Sequence, residues 1–193
     1  MKFTVSREAL IKPLQLVAGV VERRHTLPVL ANVLLVIEGD QLSLTGTDLE
    51  VEIVGRVQLE TAPGDGEITV PAKKFLDICR ALPEESVIEF SLKDQKVTVK
   101  SGRTRFTLST LPANEFPAVE EGSNDIVFSS EQREIKRLID RTSFAMAQQD
   151  VRYYLNGMLW EVRPNELRVV STDGHRLAMC TRPCPIDVTE SRQ

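Results

Sequence analysis

Hydrophobic and polar positions follow the same order three times along the chain. Three strand-forming residues precede a Ser or Pro that can begin a helix, and an amphipathic segment follows. The three starts are FTVSREALI (3–11), ITVPAKKFL (68–76) and IVFSSEQREI (126–135). After each one, apolar and polar residues alternate with a period of two, as in SVIEFSLKDQKVTVK (86–100). The pattern predicts three units, each a strand, a helix and three further strands.

Each predicted helix has one apolar stripe and one polar face. The stripes consist of Leu10, Leu14 and Val17 in the first helix, Phe75, Ile78, Cys79 and Leu82 in the second, and Ile135, Leu138 and Ile139 in the third. Pro13 lies inside the first helix and removes a backbone hydrogen bond there, so we expect a kink or a short helix. Alternating strands and amphipathic helices together predict an α+β fold of antiparallel sheets, each with one face under helices.

Single positions recur between the first and third units. Asn32 matches Asn156 and Leu34 matches Met158; after one inserted residue, Leu42, Thr47 and Asp48 match Leu167, Thr172 and Asp173. The first two units predict a domain over residues 1–120, closed by the linker LPANEFPAVEEGSND (111–125). The third unit begins a second domain over 121–193, of which we expect the chain to hold the first half.

Composition restricts the class of protein. Of the 193 residues, 41% are hydrophobic, enough to bury a core. No apolar run reaches the roughly 18 residues that cross a membrane, and the N-terminus lacks a signal peptide, so we expect a cytoplasmic protein with no membrane partner. The three cysteines have no CxxC spacing, which predicts reduced thiols, with Cys79 in a core, and neither a zinc site nor another cofactor.

Charge is distributed unevenly between helices and strands. The chain has a net charge of −4. The predicted helical stretches 6–19, 71–82 and 130–144 nevertheless hold nine basic and five acidic residues. A basic helix face can be a solvated surface, but three equivalent helices that are basic on an acidic chain favour a surface that follows a phosphate backbone without sequence preference.

The stretch STDGHRLAMC (171–180) contains residue types found in hydrolases. Ser171, Asp173 and His175 would share one face of a strand, yet members of a catalytic triad usually come from separate elements. Because the pair Thr172-Asp173 repeats Thr47-Asp48, a turn is the better interpretation. A metal site formed by His25, Asp173 and His175 has little support, since nothing brings the two histidines together. The residues of this stretch therefore do not predict a catalytic site.

Several longer stretches carry a family resemblance. TLPVLANVLL, SLTGTDLEVE, VPAKKFLDICRALP, SGRTRFTLSTLPANEFP, MAQQDVRYYLNGMLWE and STDGHRLA resemble the bacterial DNA polymerase III beta subunit family, the sliding clamps, from Met1 to about residue 182. The resemblance implies the DNA clamp fold and a head-to-tail homodimeric ring of three similar domains per protomer, with helices around the hole and sheets outside. Such a ring encircles double-stranded DNA and acts as a non-catalytic processivity factor.

The resemblance also implies three sets of functional residues. The DNA-binding set is Arg24, Gln149, Tyr153 and Tyr154, with Lys12, Lys73, Arg80 and Arg137 from the helices. A peptide-docking pocket for linear motifs of the DNA polymerase III alpha subunit, the clamp loader and other DNA polymerases or repair proteins has Arg152, Tyr154, Leu155, Thr172, Gly174, His175, Arg176 and Leu177. The contacts with a second protomer are Lys74, Arg103, Arg105 and Leu108.

Alternatives remain open for each set. Residues 23–25, RRH, suit an ordinary polar loop, and alternating arginines on an edge strand can serve to block unwanted pairing. The chain could also be an interaction module that docks short peptides and has no DNA role, a class that lacks salt-sensitive DNA binding. Three units cannot close a ring of two protomers, so we expect an N-terminal fragment whose third unit exposes an apolar sheet edge.

Overall fold

The computed structural model describes residues 1–21, 27–117, 126–186, 188 and 191–192. The chain divides into unit 1, Met1–Glu121, and unit 2, Gly122–Gln193. In unit 1 the elements are β1 (Lys2–Ser6), α1 (Arg7–Val17), β2 (Asn32–Glu38), β3 (Gln41–Thr47), β4 (Glu52–Gln58), β5 (Gly66–Pro71), α2 (Ala72–Ala81), β6 (Val87–Lys93), β7 (Lys96–Ser101) and β8 (Thr104–Ser109). In unit 2 they are α3 (Gln132–Thr142), β9 (Leu159–Arg163), β10 (Glu166–Thr172) and β11 (Leu177–Pro183), with single 3₁₀ turns at Ser143–Ala145 and Tyr153–Asn156.

The two repeats of unit 1 exchange their opening strands. The sheets have the orders β4-β3-β2-β5 and β1-β6-β7-β8, so β1 completes the sheet of the second repeat and β5 that of the first. Both exchanges are antiparallel and bring apolar residues face to face, as in Phe3↔Phe90 and Ile68↔Leu35. The predicted α+β fold of repeated units with antiparallel sheets is confirmed, and the exchange is a feature that the sequence pattern did not predict.

Helix α1 begins where the sequence predicts. Ser6 caps it, since its hydroxyl accepts a hydrogen bond from the Ala9 amide at 3.3 Å. The stripe residues Leu10, Leu14 and Val17 are fully buried. The helix spans 11 residues, as many as α3, and continues through Pro13, so the proline does not end it.

Two glycines on the sheet allow α1 to approach it closely. A Cβ atom at Gly46 of β3 would lie 2.8 Å from a Val17 methyl carbon, and one at Gly55 of β4 would lie 2.9 Å from the Pro13 Cβ. Real side chains do not adopt such contacts, so neither position can hold a larger residue unless the helix moves. The ring of Pro13 therefore packs directly on β4.

The core of unit 1 is centred on three phenylalanines. Phe3 stacks on Phe90 with ring centroids 4.5 Å apart, and Phe75 meets Phe90 edge-on at 6.1 Å. Cys79 lies in this core as predicted, and burial raises the pKa of its thiol to about 12. Its carbonyl oxygen, near the C-terminal end of α2, accepts a 2.9 Å hydrogen bond from the Arg7 guanidinium and so joins the two helices.

Unit 2 departs from the predicted pattern at its start. Residues 126–131 form no strand, and α3 begins at Gln132 without a side-chain cap, so the strand and the serine cap predicted there are wrong. The physical reason lies in unit 1, where an opening strand exists because another repeat supplies its hydrogen-bond partner. The described residues of unit 2 contain one repeat, with the sheet β11-β10-β9.

The strand register also corrects the alignment of the repeats. Leu35 lies opposite Leu44, and Trp160 lies opposite Val169, the equivalent of Leu44. Trp160 is therefore the structural equivalent of Leu35, so Met158 corresponds to Val33 and not to Leu34. The inserted residue precedes Met158, where the chain passes from the 3₁₀ turn into β9.

Replacing either Gly46 or Gly55 with alanine should destabilise unit 1 by about 1–3 kcal/mol, because overpacking displaces α1 from the sheet. Urea unfolding followed by far-UV circular dichroism measures this change. Fluorescence of Trp160, the single tryptophan, reports on unit 2 and should keep its transition. The matched control is Gly64→Ala, where a Cβ meets no atom within 4 Å. Equal stabilities for all three variants would contradict close packing of α1.

Candidate functional site

The turn after β10 is held by its own threonine and aspartate. The Thr172 hydroxyl accepts a hydrogen bond from the Gly174 amide at 3.0 Å. One Asp173 carboxylate oxygen accepts from the amides of His175 and Arg176, both at 2.9 Å. The other oxygen accepts from the Arg176 guanidinium at 3.0 Å. The two amides and the guanidinium lower the pKa of Asp173 to about 2.

The same turn occurs in unit 1, where Thr47 and Asp48 hold the backbone in the same way. The Asp48 carboxylate accepts from the Glu50 and Val51 amides at 2.9 and 2.7 Å. Leu49 has φ 77°, and its equivalent Gly174 has φ 89°. The Thr-Asp pair is thus a structural turn, as the repeat predicts.

The three residues that suggested a triad do not converge. Ser171 is 3% exposed, points into unit 2 and donates a short hydrogen bond to the Thr142 carbonyl. Asp173 is occupied by the turn, and His175 lies on its exposed side. The idea that the three share one strand face is wrong because β10 ends at Thr172. His25, the third member of the weighed metal site, lies outside the described residues, among which no group of three or more His, Cys, Asp or Glu could hold a metal ion.

A second carboxylate holds the arginine of the neighbouring loop. Arg152 donates from Nε and one terminal nitrogen to the two oxygens of Asp150, at 3.1 and 2.8 Å. This bidentate pair lowers the pKa of Asp150 to about 2. The Asn156 side chain bonds both the amide and the carbonyl of Asp150, each at 3.0 Å. The Arg152 guanidinium is thereby fixed beside Gly174, 3.5 Å from where a Cβ would stand.

Two hollows adjoin these groups. The polar hollow has a volume of about 590 Å³ and extends from the 3₁₀ turn after α3 to the Thr-Asp turn. Of the predicted docking residues it contains Arg152, His175 and Arg176. Phe144 forms part of its wall, and its ring lies 5.9 Å from the Arg176 guanidinium carbon.

The apolar hollow has a volume of about 410 Å³. It contains the predicted residues Tyr154, Leu155 and Thr172 and five others that were not among the predicted docking residues: Gly157, Met158, Leu159, Val170 and Ser171. Val170 could have been found from the period of two, which places it on the same sheet face as Thr172. The two remaining predicted residues are exposed: Gly174 lies beside Arg152, and Leu177 pairs with Thr172 at the start of β11.

The predicted DNA-binding residues lie on helices and on one loop. Lys12, Lys73, Arg80 and Arg137 are exposed and form no ion pair in the described ranges. By contrast, Lys136 is paired with Asp140 at 2.6 Å.

The loop residues of this set are also accessible. Gln149 is exposed with φ 57°, and Tyr153 and Tyr154 are 82% and 67% exposed, with their rings edge-on at 6.1 Å. Arg24 lies outside the described residues.

Three of the four predicted subunit contacts lie on or next to the edge strand of a sheet, and the fourth lies on α2. Strand β8 is the terminal strand of the order β1-β6-β7-β8, and Arg105 on it is exposed. Arg103 is exposed in the turn before β8, and Lys74 is exposed on α2. Leu108 is 6% exposed and belongs to the core of unit 1, so its side chain has little surface for a partner.

No helix among the described residues is long and apolar enough to cross a membrane.

Comparison with known proteins adds three kinds of match. The model of the DNA polymerase III beta subunit, N-terminal domain, matches residues 1–120, and the model of its central domain matches residues 130–193. The beta sliding clamp of Pseudomonas aeruginosa is 67% identical over 193 residues, which are 100% of this chain and 53% of the relative. The beta sliding clamp of Escherichia coli K12 is 55% identical over 183 residues, which are 95% of this chain and 50% of the relative.

Solved structures agree. One is a crystal structure of the DNA polymerase sliding clamp from Pseudomonas aeruginosa with ligand, with a TM-score of 0.96 at 66% identity. The match covers 100% of this chain and 52% of the Pseudomonas chain. The structure of Caulobacter crescentus pol III beta has a TM-score of 0.86 at 41% identity; the match covers 96% of this chain and 51% of the Caulobacter chain. The chain spans about half the length of the curated relatives it matches. On these matches, the resemblance predicted from the sequence is confirmed, and the chain belongs to the DNA polymerase III beta subunit family.

Proposed function

We propose that this chain is the N-terminal part of a DNA sliding clamp, a non-catalytic cytoplasmic protein that encircles duplex DNA and tethers the replicative polymerase. Units 1 and 2 correspond to its first domain and to the first half of its second. Two observations together carry the proposal: family membership, and basic helix side chains that form no ion pair within the part of the chain that the structure describes. Lys12, Lys73 and Arg80 of unit 1 and Arg137 of unit 2 are exposed in this way.

DNA contact in this proposal is electrostatic and independent of sequence. Exposed lysine and arginine side chains meet phosphates, which carry no base information and let a protein slide. The exposed loop residues Gln149, Tyr153 and Tyr154 of unit 2 would contact DNA as well. The proposal also includes Arg24, which lies outside the described residues. Because the chain has a net charge of −4, the attraction comes from local clusters of basic residues and not from the charge of the chain as a whole.

The two hollows of unit 2 suit a linear peptide. Apolar side chains of a motif fit the hollow that contains Tyr154, Leu155 and Val170, while the rim supplies polar contacts. Arg152 and Arg176 are already oriented by Asp150 and Asp173, so binding need not order them. The partners are motifs of the DNA polymerase III alpha subunit, the clamp loader and other DNA polymerases or repair proteins. A second protomer would bind at the β8 edge of this chain. The contacts on this chain would be Lys74, Arg103, Arg105 and the backbone of Leu108.

Removing two helix charges together, Lys73→Gln with Arg80→Gln, should weaken binding to a labelled DNA duplex and lower the slope of log affinity against log salt by about 2, since each phosphate contact contributes roughly 0.9. Fluorescence anisotropy across a salt series measures both quantities. The control with the same charge change is Lys93→Gln with Lys96→Gln, two exposed residues at the turn between β6 and β7. If both double variants lose equal affinity, or the unaltered chain binds peptide but no DNA, the DNA role is refuted.

The substitution Val170→Lys should weaken binding of a peptide with the clamp-binding motif of the polymerase alpha subunit by at least about tenfold. The reason is that a charge without a partner in an apolar hollow costs free energy. Isothermal titration calorimetry gives the affinity. Met179→Lys is the control, since Met179 pairs with Val170 across the sheet, is 58% exposed and does not line the hollow. Trp160 fluorescence verifies folding of both variants. Equal binding by the two would place the peptide elsewhere.

Protonation of Asp150 and Asp173 at low pH should weaken their ion pairs with Arg152 and Arg176 and so lower the stability of unit 2. Asp150 and Asp173 have folded-state pKa values of about 2, below the ordinary 3.8, so their stabilisation is complete above about pH 3.8 and is lost as the pH falls towards 2. Urea unfolding monitored by Trp160 should therefore show a smaller loss of stability between about pH 6 and pH 2 for Asp173→Asn than for the unaltered chain. Asp94→Asn, in the turn between β6 and β7, should not change this dependence.

A further inference from the structure

Residues 147–156 form a loop that its own hydrogen bonds close. At the base of the loop, the Ala147 amide donates to the Leu155 carbonyl at 3.0 Å. The Leu155 amide donates in turn to the Arg152 carbonyl at 2.8 Å. The segment that carries part of the predicted docking set is therefore closed by bonds of its own chain.

The Asn156 side chain crosslinks the middle of this loop. Its amide oxygen accepts a hydrogen bond from the Asp150 N–H, and its amide nitrogen donates to the Asp150 carbonyl, both at 3.0 Å. The side chain thus pairs with Asp150 as one backbone residue pairs with another in the hydrogen-bonded positions of an antiparallel ladder. Such pairing needs one acceptor and one donor side by side, which a primary amide or a protonated acid supplies and a carboxylate does not.

Asp150, fixed by this crosslink, holds Arg152 with both carboxylate oxygens. One oxygen accepts from the amide and Nε of Arg152, at 2.8 and 3.1 Å, and the other accepts from one terminal nitrogen at 2.8 Å. The second terminal nitrogen lies 3.5 Å from the place of a Cβ on Gly174 and forms no hydrogen bond with another described residue. Because Arg152 lines the polar hollow, these remaining donors are available to a ligand.

We propose that Asn156 is a positioning residue for peptide docking, which acts through Asp150 to hold Arg152 with its second terminal nitrogen ready for an oxygen acceptor of the peptide. This role rests on the docking function proposed above. Asn156 lines neither hollow, so it works through Arg152 and not by contact with the peptide. An exposed arginine without this support would lose more rotamer entropy on binding.

The substitution Asn156→Asp tests the pairing with little change of shape. At about pH 7 the introduced carboxylate repels the Asp150 carbonyl, so affinity for the peptide with the polymerase alpha motif should fall about tenfold. At about pH 4 the protonated acid again supplies one donor and one acceptor, so the variant should bind within about twofold of the unaltered chain. Isothermal titration calorimetry at both pH values measures the recovery. The control Asn165→Asp adds the same charge at the exposed turn between β9 and β10 and should match the unaltered chain at both.

The recovery can be assigned to the introduced carboxyl because its neighbours are accounted for. The ionisable groups of the loop and of the Thr-Asp turn are Asp150, Arg152, Tyr153, Tyr154, Asp173, His175 and Arg176. Both aspartates have a pKa of about 2 and stay charged at about pH 4. Any titration of His175 is common to the variant, the control and the unaltered chain, so it cancels in the ratio of their affinities.

A double-mutant cycle shows whether Asn156 acts through Arg152. In a chain that carries Arg152→Ala, adding Asn156→Asp should change the affinity by less than about twofold, because the group that Asn156 positions is gone. The proposal is overturned by an equal loss of affinity with and without Arg152, or by a loss that persists at about pH 4.

The pKa of Asp150 gives a readout that needs no peptide. It is about 2 in the unaltered chain and should rise towards the ordinary 3.8 in Asn156→Ala, as the pair with Arg152 loosens. Carboxyl carbon NMR follows the titration, with Asp150→Asn to assign the signal and Trp160 fluorescence to verify folding. An unchanged pKa in a chain that binds the peptide refutes the role of Asn156 alone. If the unaltered chain binds no peptide, the docking function is refuted and this role with it.

Discussion

A repeat of this chain cannot satisfy the backbone of its own sheet. Its opening strand and its first long strand each have amide and carbonyl groups that face away from the rest of the repeat, and in unit 1 a second repeat bonds both sets. The same exchange brings Phe3 onto Phe90, so the hydrogen-bond ladder and the core close in one step. The apolar stripe of α1 and most of that of α2 are buried in the same core.

Local features of the fold could be predicted from the sequence, and features that depend on a distant partner could not. Ser6 caps α1 because capping needs only the next three residues. The strand predicted at 126–128 is absent because its stability comes from another repeat, which no periodicity reveals. The resemblance predicts that Leu108 contacts a second protomer; the structure adds that its side chain alternates inward and is 6% exposed, which leaves its backbone for such a contact.

The same distinction between local and distant features applies to the candidate site. Comparison of the two Thr-Asp turns singles out Gly174, His175 and Arg176 as particular to unit 2, and all three lie at or beside the hollows. The supporting carboxylates Asp150 and Asp173 were not recognised as such, because their role appears only when the loop at Arg152 and the turn at Arg176 adopt their backbone conformations. Arg152 and Arg176 are held by carboxylates of their own chain before a partner arrives, whereas Lys12 and Arg137 are exposed and form no ion pair among the described residues.

The two copies of the Thr-Asp turn have different residues at the same left-handed position, Leu49 in unit 1 and Gly174 in unit 2. Leu49 shows that the left-handed backbone conformation at this position tolerates a large side chain, while the equivalent Gly174 has the Arg152 guanidinium beside it. A side chain as long as leucine at Gly174 would have to displace that guanidinium. The two copies of the turn therefore share one backbone geometry but differ in what lies beside it. Leu49 is 55% exposed, whereas the missing side chain at Gly174 leaves the space in which the Arg152 guanidinium stands.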